Sequence, residues 1–109
     1  MDQDKFMQII SDHHTYRMNI LCNPKKSRTS GNTDRLIQFK RMAKMRKCST
    51  LSACVDLCTK QFTDILDMAD GSHPHAWNVD YFEELISDVQ NYLDIALAIM
   101  KEEKENDLG

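Results

Sequence analysis

The sequence predicts an all-α fold: a compact bundle of about four helices that ends in a long one. Three observations carry this reading. Apolar residues recur at intervals of three and four along most of the chain. No stretch alternates with period two for long enough to make a strand. Pro24, Gly31, Gly71 and Pro74 fall between the periodic stretches rather than inside them. At 109 residues the chain fits one domain over 1–109, large enough to close a modest core without disulfides.

The first helix runs from about Asp4 to Cys22, with Phe6, Ile9, Ile10, His13, Arg17, Ile20 and Leu21 following the helical period. The stretch at about 23–33, Asn23 to Thr33, mixes turn formers with Lys25, Lys26 and Arg28 and reads as a basic loop. Asn32 or Thr33 can cap the second helix, whose apolar stripe of Leu36, Phe39, Met42 and Ala43 is narrow and which ends near Lys47. Ser49 or Thr50 caps a third, with Leu51, Cys54, Val55, Cys58, Phe62, Ile65, Leu66 and Ala69 in register up to Gly71. After a loop over 70–77, Asn78 can cap the last helix, in which Val79, Phe82, Leu85, Ile86, Val89, Tyr92, Leu93, Ala96, Ile99 and Met100 form a broad stripe. The tail at about 102–109 is expected to fray. That last stripe exceeds what three shorter helices can cover, which predicts a homo-oligomer.

Charge is segregated along the chain. Residues 25–47 hold nine Lys and Arg against Asp34 alone, a balance of +8, while 48–109 hold three Lys against thirteen carboxylates, a balance of −10. Opposite halves attract within a chain or between copies. The basic strip can grip phosphates, but its single aromatic, Phe39, belongs to the core stripe and no nucleic-acid reading motif accompanies it. A nucleotide is therefore the better expectation than DNA or RNA. The N-terminus lacks the basic start and apolar run of a signal peptide, and no run is long enough to span a membrane. A cytoplasmic location with reduced cysteines is expected.

Cys54 and Cys58 share a helical face and, with Cys48 or a histidine, have the residue types of a zinc site; packing as small buried thiols explains them more simply. Tyr16, Arg17, Tyr81 and Trp77 offer stacking and guanidinium contacts to a nucleobase. The acidic series Asp64, Asp67, Glu83, Glu84 and Asp88, spaced for facing helices, has the oxygen ligands to hold Mg²⁺ against phosphate; a solvated helix face is the plainer account.

Three segments occur in order: Asp34-Arg35-Leu36-Ile37-Gln38-Phe39-Lys40-Arg41, Lys60 with Ile65-Leu66-Asp67-Met68, and Glu84-Leu85-Ile86-Ser87-Asp88-Val89-Gln90-Asn91-Tyr92-Leu93. Together, over about 33–100, they resemble small phage-encoded helical proteins related to the nucleotide-modification-associated domain, themselves similar to MazG-like all-α nucleotide pyrophosphohydrolases. The resemblance implies that Lys60, Asp67, Glu84, Asp88 and Asn91 surround a phosphate-bearing ligand, and the basic second helix adds Arg35 and Lys40. The chain departs from the hydrolase pattern at Leu85, where a Glu-x-x-Asp pair ending at Asp88 needs its acid, and it lacks a preceding Glu-x-x-Glu. Binding can persist on Lys, Arg and backbone donors when metal ligands are lost, whereas water activation cannot. The expectation is thus a protein of the host cytoplasm that binds a nucleotide or cyclic nucleotide without turnover, sequestering a host immune signal. Two alternatives stand beside it: a divergent Mg²⁺-dependent pyrophosphohydrolase using Asp67, Glu84 and Asp88, and a protein inhibitor of a host factor.

Overall fold

A computed structural model of the chain describes residues 1–23 and 34–108. The expected basic loop beyond Asn23, and the caps Asn32 and Thr33, lie outside the described residues. The rest is all-α: α1 (Gln3–Leu21), α2 (Ile37–Arg46), α3 (Thr50–Asp56), α4 (Cys58–Asp70) and α5 (Val79–Leu108). No strand occurs among the described residues, and no described helix is long and apolar enough to cross a membrane.

The local chemistry sets the boundaries. Asp2 caps α1 by accepting from the Lys5 amide at 2.8 Å. Asp34 opens the approach to α2, its carboxylate taking the Leu36 amide at 2.9 Å and its carbonyl the Ile37 amide at 3.2 Å. Lys47 closes α2 in the left-handed region at φ 56°, so that the Cys48 amide reaches back to the Ala43 carbonyl at 3.0 Å. Ser49 caps α3 through the Ser52 amide, Gly71 ends α4 at φ 82°, and the Asn78 side chain caps α5 through the Tyr81 amide at 3.0 Å.

Two expectations are corrected. The single third helix is two: at Leu57 the amide turns to the Cys54 carbonyl, three residues back, at 3.2 Å. That tightened turn interrupts the α-helical ladder and separates α3 from α4. The tail is helical in the structure rather than irregular, since α5 continues from Met100 to Leu108. Lys40 of α2 holds it, bonding Glu102 at 2.5 Å and Asp34 at 2.6 Å.

The core lies where α2, α3 and α5 meet. Leu36, Cys54, Ala96 and Ile99 are buried together, with Phe39, Leu51, Tyr92 and Ile95 packed against them. Phe39 meets Tyr92 edge-on, ring centroids 6.5 Å apart. The Cys54 thiol donates to the Tyr92 carbonyl at 3.3 Å, and α4 packs against α5 after the Gly71 turn. In contrast, α1 buries no residue of its own. It meets α5 through polar side chains: His13 lies 2.7 Å from both Glu83 Oε2 and Gln90 Oε1, and Arg17 bonds Asp94 and, at 3.1 Å, Asn91 Oδ1.

Candidate functional site

Between the C-terminal end of α1, α2 and the turn before it, the α3–α4 junction and the middle of α5 lies a cavity of about 530 Å³. Its apolar wall includes Ile20, Leu21, Phe39, Met42, Leu57 and Ile95; its polar groups are Arg35, Gln38, Asp88, Asn91 and the Tyr92 side chain. The volume falls in the ~300–1,000 Å³ of small-molecule sites.

The fold fixes each polar group differently. Asn91 is 7% exposed, and Arg17 clamps it from both sides: the guanidinium donates to Oδ1 at 3.1 Å, and Nδ2 donates to the Arg17 carbonyl at 3.4 Å. Arg35 sits at the rim on the turn entering α2, and its Nη2 donates to the Leu21 carbonyl at 2.8 Å. This bond ties the end of α1 to the mouth of the cavity. Asp88 projects from α5 half-buried, and among the described residues no cation or hydrogen-bond donor reaches its carboxylate. Burial, and then the nearby charge of Glu84, push its pKa upward. A half-buried carboxylate in that position is improved by any ligand N–H or O–H that can donate to it.

Of the seven residues singled out from the sequence, the cavity gathers Arg35, Asp88 and Asn91. The other four do not line it. Lys40 is engaged by Asp34 and Glu102, and it serves the tail of α5. Glu84 is exposed beside Asp88, Lys60 is exposed on α4, and Asp67 lies in the last turn of α4, where its carbonyl takes the Ser72 and His73 amides. Sequence reasoning missed Gln38, Met42, Leu57 and Ile95 as lining groups. Met42 lies on an apolar stripe of the sequence, but the meeting of α2, α5 and the α3–α4 junction at Leu57 around one space is not visible in the periodicity of any single helix.

The acidic series disperses. Glu83 faces His13, and Asp64 lies 3.8 Å from His73 Nε2. Among the described residues no three His, Cys, Asp or Glu side chains come together in a way that could hold a metal ion. Cys54 is buried and its thiol is pushed up to about 11, by burial first, while Cys58 is raised by burial as well; both behave as packing groups. The aromatic set does not converge either: Tyr81 stacks on His75 with centroids 4.5 Å apart, Tyr16 tilts against His13, and Trp77 stands 92% exposed at φ 69°. Tyr16 is nonetheless near the carboxylates, since burial and then Glu84, Glu83 and Asp88 raise its pKa. No protein-family model matches the chain, and neither a curated protein nor a solved structure does so.

Proposed function

We propose that the chain binds a nucleotide or cyclic nucleotide in the cavity between α1, α2 and α5, and holds it without turnover. The observation that carries this reading is the meeting of Arg35, Asp88 and Asn91 on one lined space of about 530 Å³. Those residues come from two sequence segments whose motifs pointed to a phosphate-bearing ligand. The apolar wall, with Phe39, Met42 and Ile95, suits the face of a base, and the Arg35 guanidinium at the rim supplies positive charge for phosphate. Asp88 accepts from base N–H or sugar O–H groups. Sequestration rather than hydrolysis is favoured because, of the three acids a hydrolase would use here, Asp88 lines the cavity while Glu84 and Asp67 do not. On the motif resemblance, the ligand is a signalling nucleotide of host immunity, and the working form is a homo-oligomer in the host cytoplasm.

The test is incubation with a panel of linear and cyclic nucleotides plus Mg²⁺, followed by mass spectrometry of free and heat-released ligand. Intact nucleotide recovered only after heating is the expected result, and Asp88→Asn should lose it at least tenfold with helix content unchanged. Accumulating hydrolysis products would replace this reading with a pyrophosphohydrolase. Retention of no nucleotide at all would overturn it in favour of a protein-directed inhibitor.

A further inference from the structure

The chain exposes more surface than its mass requires. Its accessible area is 8196 Å², against about 6,200 Å² for a compact monomer of 12.7 kDa. Its radius of gyration, 16.3 Å, likewise exceeds the ~13 Å of a compact domain of this length. The excess is more than the ~800 Å² per partner that a standard interface buries.

Much of the open apolar surface has a pattern. Along α5, the exposed Val79, Phe82, Leu93, Leu97 and Met100 form one stripe, with the half-buried Ile86 in line between them. It is separate from the core side of the helix, where Leu85, Ala96 and Ile99 are buried, and from the α1 side, where Glu83, Gln90, Asn91 and Asp94 bind His13 and Arg17. Leu93, Leu97 and Met100 are 51%, 55% and 53% exposed. The spacing from Val79 through Ile86 and Leu93 to Met100 repeats every seven residues, the period of a helix seam that expects a second helix.

We propose that this seam is filled by the same seam of a second copy, α5 against α5 in antiparallel register about a two-fold axis between Val89 and Gln90. The proposal deepens the homo-oligomer part of the function proposed above and is independent of the ligand. The argument for register is self-complementarity. With the axis there, Val79 meets Met100, Phe82 meets Leu97, and Ile86 meets Leu93, so every pair is apolar on both sides. A parallel pair would instead set the acidic first turns, with Asp80, Glu83 and Glu84, side by side, and likewise Glu102, Glu103, Glu105 and Asp107. The antiparallel register brings Lys101 and Lys104 of one copy to the start of the other's α5. There they meet Asp80 and the otherwise naked Trp77, to which an ammonium is attracted over the ring face.

Sedimentation of the full chain, with the emission of its single Trp as a second readout, tests this. The wild type should sediment at twice 12.7 kDa, and Leu93→Glu, or Leu97→Glu as a second variant, at the mass of one chain with unchanged far-UV dichroism. Trp77 emission should shift to the red in both variants. Under mild oxidation the paired variant Ile86→Cys/Leu93→Cys should give a disulfide joining position 86 of one copy to position 93 of the other, located by peptide mapping, and neither single variant should. A wild type that sediments as one chain at all concentrations would sink self-association altogether. A dimer that survives both glutamates would keep self-association and reject this seam, and a disulfide joining position 93 of one copy to position 93 of the other in Leu93→Cys, distinguished by peptide mapping from bonds to the exposed Cys22 and Cys48, would reject the antiparallel register.

Discussion

Two of the sides on which α5 meets other helices of the chain are held by different physics. Toward α2 and α3, Ile99, Ala96 and Cys54 are buried with Leu36, and the Cys54 thiol donates to the Tyr92 carbonyl. Toward α1 the contact is polar: His13 and Arg17 against Glu83, Gln90, Asn91 and Asp94, with no residue of α1 buried. Apolar packing is non-directional and largely indifferent to salt, while the charged dock depends on geometry and is screened. The cavity lies where these two regimes meet, its wall drawn from the core and its Asn91 held by the dock. A ligand there would touch a rigid wall on one side and a helix that can be loosened on the other.

The largest effect that would break this comparison is loss of the core itself. Ile99→Ala should destabilise the fold by ~2–5 kcal/mol, since the side chain is fully buried among close-packed neighbours and leaves a cavity. Urea unfolding of the variant reads this directly. A cost below about 1 kcal/mol would mean that the α2–α3–α5 junction is no tighter than the α1 dock.

The core was largely legible in the sequence, because burial of Leu36, Cys54, Ala96 and Ile99 follows from helical periodicity. The dock was not. Phe6, Ile9 and Ile10 carry the apolar period of α1, yet each stays about half exposed while His13 and Arg17 make the specific contacts. Polar pairing across helices needs partners identified in space, and spacing within one helix contains no such information. The same reason explains the site: Asp88 and Asn91 could be chosen because they share a motif on one helix, and Arg35 by its charge. Lys40 had the same charge, but its partner Glu102 lay in a tail expected to fray. The split at Leu57 was hidden because the apolar residues on either side keep the helical period through it.

An intermediate effect sharpens the contrast from the other side. Arg17→Ala removes the donor to Asp94 and leaves the buried Asn91 oxygen without its partner, at a cost of roughly 1–3 kcal/mol. The loss should be local. Hydrogen exchange should quicken in the amides of α1 and stay slow in α3 and in the core-facing turns of α5. On the proposed function, retention of nucleotide should fall too, because Asn91 is no longer held at the cavity wall. Uniform acceleration through all five helices would show that α1 is part of the cooperative core after all.

The smallest effect concerns the end of α5 and carries a pH signature. Lys40 hydrogen-bonds Asp34 and holds its carboxyl below the usual carboxylate range, with the Leu36 amide adding to the shift. The Lys40 ammonium is pushed up by Asp34 first and Glu102 second. Because Asp34 is lowered in the folded chain, its contribution is present above its ordinary value and disappears as pH falls through the folded one. Because Lys40 is raised, its contribution is complete below its ordinary value and is lost as pH rises through the folded one. Only the Lys40 bond to Glu102 reaches the tail, so the tail should lose helix as pH rises through the folded Lys40 value, whereas loss of the Asp34 charge at low pH weakens the contact at the turn before α2. All these groups are partly exposed, so salt should weaken the tie and global stability should change little. Lys40→Ala should therefore cost about the helical signal of roughly two turns at neutral pH, read by far-UV dichroism and fast exchange over 101–108, and it should flatten the pH dependence. A tail that stays helical in Lys40→Ala would mean that it is held by its own Lys and Glu spacing rather than by α2, and the +8 segment would then have no structural role at this end of the molecule.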